Sequence, residues 1–386
     1  MIAVLVDRVG AFGSSVLDGL SEYASAARHW RYAIQLDIRR SDRPPLRALQ
    51  IRGLVIQAWD RQLADETRGY RIPIVNVSGA VADTGLPTVT VDSEAIGRMA
   101  AQFFLDRNFR HFAYLGHPEA HYSLTRGRAF ISVLQKAGFE CLADPTHLGE
   151  RPTRRKWGPE LLPWLMALPK PVALFACQDH RASEVVRACS EVGLAVPEQV
   201  SILGVDNDPM FASCALSSID QPGRRVGYAA AKLLDDLIGG KRPPAEPILL
   251  PPVGVVSRKT VSDRPIDDQE IARAMTFIRQ NASHAIGIDD VARAAFTSRR
   301  TLQRRFTRFI GHSVMVEIRR THLELAQSLL QNTSIPVSDV AAASGFGDPS
   351  RFTLLFRQCV GLTPSAYRLR HEASKDSPAP KSTKAP

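Results

Sequence analysis

Over the first 260 residues, short β-branched runs alternate with amphipathic stretches. The runs Ile2–Val6, Tyr32–Ile38, Gly53–Gln57, Ile74–Val77, Thr88–Val91, His111–Leu115, Val172–Ala176 and Ser201–Val205 are short and bounded by turn formers, and predict strands. Between them Ser14–Ala27, Ser93–Asn108, Arg126–Ala137, Arg181–Val192 and Val226–Ile238 repeat their apolar residues at helical spacing. Strand–helix alternation of this kind predicts an α/β class with parallel sheets covered on both faces. About eight strands over such a length suit two sheets better than one. A Gly/Pro-rich break at Gly239–Pro247 precedes one last expected strand, Ile248–Val256, and the polar stretch Ser257–Asp267 reads as a linker.

Beyond the linker the pattern turns helical throughout: Asp268–Asn281, a long helix at about Val314–Gln331, and two shorter pairs. The first pair is Ile288–Phe296, a break at Thr297–Ser298, then Arg299–Phe306; the second is Pro336–Ser344, a break at Gly345–Phe346, then about Asp348–Val360. Each reads as a helix-turn-helix unit, which can lay its second helix in the DNA major groove. The expected domains are therefore residues 1–260, an all-α domain at 261–370, and a disordered tail at 371–386 whose Pro, Ser, Lys and Ala show no apolar periodicity.

In the first unit Val291, Ala292, Ala295, Leu302, Phe306 and Phe309 form the expected core stripe. Arg300, Gln303 and Arg304 share the opposite face, where Arg suits guanine and Gln suits adenine. Arg299, Arg305 and Arg308 are placed for phosphate, which fixes register without reading sequence; a merely solvated basic face is the plainer reading of the same residues. The second unit repeats the skeleton with Val337, Val340, Ala341, Phe346, Phe352, Phe356 and Val360. Its outer face, Pro349, Ser350, Arg351, Thr353 and Leu354, is far less basic, so less base discrimination is expected from it.

Charge sharpens this picture. The net charge is +10, and from Asp268 to Arg370 there are fourteen Arg, no Lys and eight acidic residues, a surplus of six. A planar guanidinium donates two parallel hydrogen bonds, which fits guanine edges and phosphates. Five cysteines, widely spaced and without a CxxC pair, argue for reduced, mostly buried thiols with neither a disulfide framework nor a zinc site. No apolar run is long enough to span a bilayer and the opening residues lack a basic lead, so a cytoplasmic protein with no membrane partner and no cofactor is expected.

In the first domain Asp92, Asp179 and Asp206 each follow an apolar run, at the carboxyl ends of strands, where open α/β sheets place ligands. Carboxylates accept from adjacent hydroxyls and a nearby Arg donates, which together suit a polyol. The same Asp positions also suit helix N-caps. Phe12 and Trp59 could stack on a sugar ring or pack a core or hinge, and Asn207 could orient Asp206 or touch the ligand. No nucleophile–base pair, metal-ligand cluster or phosphate-binding Gly loop stands out, so an enzyme is not expected.

Residues 268–370 resemble the arabinose-regulator family of transcriptional activators through Ser338–Ala341, Gly345–Phe346, Ser350, Phe352, Phe356–Arg357, Gly361, Thr363–Pro364 and Tyr367–Arg368. That resemblance implies seven helices, with recognition positions on Arg300, Gln303 and Arg304 in the first unit and on Ser350, Arg351 and Leu354 in the second. Leu354 departs from the polar residue often found at its position. The first 260 residues resemble lactose-repressor-like regulators and periplasmic sugar-binding proteins. Ile2–Val6, Val89–Gly97, Phe112–Gly116, Thr125–Phe130, Ala176–Asp179 and Val200–Asp208 carry this likeness. It implies a two-lobed periplasmic-binding-protein-like domain in which Arg126 contacts the sugar and Arg128 supports it. Lactose-repressor relatives carry an N-terminal DNA-binding headpiece, whereas this sequence opens at the first strand.

The pairing of the two domains, with Ala215–Ser218, Gly227–Leu234 and Leu250–Val253, is similar to bacterial regulators of xylose operons. It implies a homodimeric activator of sugar catabolic and transport genes, switched by D-xylose and acting on RNA polymerase at double-stranded DNA. The competing readings are a sensor of another sugar or a purine, and a non-sensing repressor or architectural protein that uses the α/β domain only to dimerise.

Overall fold

A computed structural model describes residues 1–8, 10–27, 30, 32–35, 51–144, 161–262 and 268–375. The chain divides into two compact units, residues 1–265 and residues 266 onward.

The first unit opens with β1 (Ile2–Leu5), α1 (Ala11–Ala26), β2 (Tyr32–Gln35), β3 (Gly53–Ile56), α2 (Arg61–Arg68) and β4 (Ile74–Asn76). They form a parallel sheet in the order β2-β1-β3-β4. Next come β5 (Val89–Val91), α3 (Ser93–Leu105), β6 (His111–Leu115), α4 (His121–Lys136), β7 (Cys141–Ala143), α5 (Leu161–Ala167), β8 (Val172–Ala176), α6 (Asp179–Glu191), β9 (Val200–Val205), β10 (Ser217–Asp220), α7 (Gly223–Ile238), β11 (Ile248–Leu250) and β12 (Gly254–Val256). The second sheet runs β12-β10-β9-β8-β6-β7, parallel except for β12.

Strands β1 and β8 read as unbroken apolar runs because both of their faces are covered. In β8 Ala173 and Phe175 enter one core cluster while Val172, Leu174 and Ala176 enter another, and β1 divides the same way between Ile2/Val4 and Ala3/Leu5. A third, two-stranded sheet pairs β5 with β11, so the chain passes through it on the way from β4 to β6 and again between β10 and β12, with α7 packing on α1 before β11. The expected single strand Ile248–Val256 is therefore two, because β11 pairs with β5 and β12 with β10. Strand β10 and the short β7 were not anticipated.

The expected linker starts late. Thr260 donates its hydroxyl to the Ile202 carbonyl (2.8 Å) and accepts from the Ser217 amide (2.8 Å), and Val261 is buried. Residues 257–262 thus belong to the first unit, and residues 263–267 lie outside the described part.

The second unit contains α8 (Gln269–Gln280), α9 (Ile288–Ala294), α10 (Arg299–Ile310), α11 (Val314–Asn332), α12 (Val337–Ala343), α13 (Pro349–Val360) and α14 (Pro364–Lys375). Its core has two halves joined by α11. Val314 and Ile318 pack with Leu302 and Phe306, whereas Leu323, Ala326 and Leu330 pack with Phe352 and Phe356. Helix α14 runs on to Lys375, so residues 371–375 of the stretch expected to be disordered are helical; residues 376–386 lie outside the described part. Among the described cysteines Cys177 and Cys189 are buried, but Cys359 is exposed on α13. No described helix is long and apolar enough to cross a membrane.

Candidate functional site

The carboxyl ends of the strands in both sheets of the first unit face a cleft of about 510 Å³. Asp7 and Gln57 follow β1 and β3 on one side; Gln178 and Asp206 follow β8 and β9 on the other. Buried Asn76 ties the first rim together, accepting from the Ala58 amide (3.1 Å) and the Ser78 amide (3.0 Å) and donating to Thr88 (3.2 Å). Phe12, on the first turn of α1, and Trp59 supply the aromatic walls.

Arg126 is the buried cation of this cleft. It projects from α4, donating to the Cys177 carbonyl and, at 3.2 Å, to Gln221 Oε1. The guanidinium also lies over the ring of Tyr122, 4.8 Å from its centroid. Tyr122 and Arg126 stand four residues apart and so share one helix face; the Tyr122 hydroxyl donates to Gln178 (2.7 Å). Gln221 in turn donates to Asp206. Arginine, glutamine and carboxylate form a continuous chain. Arg126 Nε and His117 Nδ1 are buried without a hydrogen-bond partner, which in a protein interior is costly unless something arrives to bond them.

Burial pushes the Asp206 carboxyl up to about 6, with Arg126 opposing the shift. Its backbone has φ +120, in the region that disfavours side chains. Burial, and then the charge of Asp206, pushes Asp179 up to about 7.

The other expected ligand residues stand elsewhere. Asp92 is the N-cap of α3, accepting from the Ala95 amide at 2.8 Å, and is not among the residues that line the cleft. Asp179 is buried behind the cleft wall, where it accepts from the Asp208 amide (2.9 Å) and the Ser218 hydroxyl (2.7 Å). It therefore positions the loop after β9. Asn207 accepts from Arg258 and lines an adjoining cavity of about 390 Å³ with Asp18, Asp206 and Asp220. Asp208, not anticipated, joins the two sides: its carboxylate accepts from the Ala11 amide at the start of α1 (3.1 Å). Tyr122, Gln178 and Gln221 were also missed. The i, i+4 spacing of Tyr122 and Arg126 was the one available signal, obscured because α4 begins at His121 and not at Arg126.

In the second unit, α10 and α13 are built alike at an offset of fifty residues. Ser298 and Asp348 cap them, Leu302/Phe306 and Phe352/Phe356 are buried, and Gly311 and Gly361 close them at φ +88 and +81. Arg300, Gln303, Arg304 and Arg308 are exposed on α10; Ser350, Arg351, Thr353 and Leu354 are exposed on α13. Arg299 pairs across the turn with Asp289 (3.2 Å). Arg305 is not placed for phosphate: it is held by buried Asp268 (2.6 Å) and by Glu270 (2.6 Å). Phe309, expected in the core, is 40% exposed.

Residues 101–261 match the periplasmic binding protein-like domain family and residues 291–370 the helix-turn-helix domain family. The xylose operon regulatory protein of Haemophilus influenzae is 28% identical over 95% of this chain and 98% of its own length; that of Escherichia coli K12 is 28% identical over 95% and 96%. A solved xylose-binding transcription activator superposes with a TM-score of 0.80 at 26% identity, covering 96% of this chain and 97% of that one. The chain is a DNA-binding transcription regulator. It combines a periplasmic-binding-protein-like unit with a helix-turn-helix unit, and it matches xylose operon regulatory proteins over nearly their whole length.

Proposed function

We propose that the cleft takes an aldopentose, D-xylose foremost, and that its occupancy switches a cytoplasmic homodimer into an activator that engages RNA polymerase at promoter DNA. The observation that carries the reading is the cleft wall itself. A buried cation with an unbonded Nε, a nearby carboxylate and flanking amides present the donors and acceptors a polyol requires, beside the aromatic faces of Phe12 and Trp59. Relatives named for xylose point to the same sugar. Arg126 and Asp206 would bind the hydroxyls and Phe12 the ring, while Asp179 and Asn207 would hold the loop that carries Asp206, and Asp92 would cap α3.

Occupancy shifts a conformational equilibrium only by its differential affinity for the two states. Asp208 bonded to the start of α1 is a contact that a change in cleft opening would make or break. In the second unit α11, nineteen residues long and about 28 Å, joins the halves that carry α10 and α13, while successive major-groove faces lie roughly 34–36 Å apart.

D-xylose at a hundredfold excess over its dissociation constant should stabilise the protein by about 2.7 kcal/mol, read as a rise in melting temperature. Arg126→Ala should abolish the rise in a domain that still folds; a rise with a purine or hexose and none with any free pentose would overturn the pentose assignment. The pH dependence has a definite sign. With both carboxyl pKa values raised, the ligand-free domain draws stability from protonation that is complete below about pH 4 and lost as pH climbs through 6 to 7. Sugar hydroxyls donate to the ionised form, so affinity should run oppositely, rising about tenfold from pH 5 to pH 7 and then levelling. Calorimetric titration across that range checks it; a flat profile would remove Asp206 from the binding surface.

A further inference from the structure

Leu354 is 59% exposed in the middle of the outer face of α13. At the offset that superposes the caps and cores of the two recognition helices, its counterpart on α10 is Arg304, and Thr353 corresponds to Gln303. The hydroxyl of Thr353 is spent within the helix, donating to the Pro349 carbonyl (3.0 Å). The two central positions that offer hydrogen bonds on α10 thus offer an apolar side chain and a bonded hydroxyl on α13. Arg351 and Arg357 are its two cations, against five arginines on α10. Nothing in the core requires an apolar residue at 354, because Phe352 and Phe356 already fill the inner face.

In the major groove the one apolar feature on a base edge is the C5-methyl of thymine. We propose that α13 reads thymine methyls through Leu354, with Thr353 beside it, so that the recognised site is two-part: a guanine/adenine element under α10 and, about one helical turn away, a thymine element under α13. The inference rests on DNA binding by both units and deepens that reading. An apolar contact covers the thymine without forming a hydrogen bond, so guanine and cytosine, which carry no methyl, leave Leu354 facing polar edges and water.

The test begins with duplexes enriched from a random-sequence library by the full chain in the presence of D-xylose. Each thymine in the enriched site is then replaced singly by deoxyuridine, which removes the methyl and leaves base pairing intact. One or two replacements in the α13 element should weaken binding about fourfold each, the equivalent of one buried methyl-sized group. In Leu354→Ala these replacements should lose their effect while guanine substitutions in the α10 element keep theirs. Leu354→Arg should exchange the thymine preference for guanine. Indifference of the wild-type chain to deoxyuridine at every position, or a deoxyuridine effect that survives in Leu354→Ala, would overturn thymine readout alone. Failure to enrich any sequence would overturn the reading of both helices as DNA-recognition elements.

Discussion

Helices α10 and α13 each begin at an oxygen-bearing cap, bury two large apolar side chains four residues apart, and end at a left-handed glycine. Over the same twelve residues the first carries five arginines and the second two. The shared features are those that hold a short helix against a core: a cap contributes about 1 kcal/mol, and a buried Phe or Leu about 1.5–3 kcal/mol. The features that differ are exposed apart from Arg305, which is partly buried against Asp268. The scaffold constrains caps, core and turn, and leaves the outward positions open to whatever the nucleic acid demands, which is why one unit can be basic and its twin half apolar.

The turns before these helices contrast more sharply and give the largest expected effect. Both turns contain a left-handed residue, Phe296 in the first and Gly345 in the second. A Cβ at 345 would stand 2.7 Å from the His284 carbonyl oxygen and 2.8 Å from the His322 ring. Gly345→Ala therefore combines backbone strain with a clash against the His284 carbonyl and the buried His322 ring, and should destabilise the second unit by about 2–4 kcal/mol. Calorimetry on the full chain should show the transition of the DNA-binding unit moving down while that of the α/β unit stays put. An unmoved transition would show that the turn has room to relax.

Neighbouring arginines on α10 separate stability from recognition. Arg305 neutralises Asp268, whose side chain is 1% exposed and which also caps α8. Arg305→Ala leaves that carboxylate buried without its cation, and should destabilise the unit by about 2–3 kcal/mol, below the full cost of a broken buried pair because Arg305 is itself partly exposed. Arg304→Ala should leave the melting temperature alone and weaken specific DNA binding by about 1–3 kcal/mol, relaxing preference at one base pair. Gel-shift titration with calorimetry on both variants checks the division; the reverse pattern would reassign the two side chains.

How much of this was legible in sequence follows from where information is local. The alternation of Ile2–Val6 and Val172–Ala176 with amphipathic stretches announced parallel sheets, and the paired helix-turn-helix skeletons were readable because their apolar residues recur at helical spacing. Strand β10 escaped because Ser217-Ser218-Ile219 is buried with polar residues, the Ser217 amide donating to the Thr260 hydroxyl and the Ser218 hydroxyl to Asp179, and no apolar period marks it. Arg305 looked like its neighbours because its acidic partners lie 35 and 37 residues away. Asp92 and Asp179 followed strands as ligand carboxylates do, yet one caps a helix and the other braces a loop. A strand end supplies the position for either role, and only the three-dimensional neighbours decide between them. The Arg126–Gln221–Asp206 chain joins residues from three separate segments, so no spacing rule could have assembled it.

Phe296 yields the smallest effect and the finest test of the contrast between the turns. It occupies φ +55 although it is 80% exposed, and the Arg273 guanidinium lies over its ring, 5.4 Å from the centroid. A left-handed conformation costs a side-chain-bearing residue about 1–2 kcal/mol, while an exposed cation–π pair returns about 0.5–1 kcal/mol. Burial adds little at such exposure. Phe296→Gly should therefore stabilise the unit by up to about 1 kcal/mol, raising its transition by up to about 4–8 °C for a domain near one hundred residues, and bring the first turn to the chemistry of the second. Specific DNA affinity should stay as it is, because the face that carries Arg300, Gln303 and Arg304 is untouched. If the transition falls, the Arg273 contact outweighs the strain and holds the first turn as glycine holds the second; if stability rises while DNA affinity drops, the exposed ring is itself part of the surface that meets DNA.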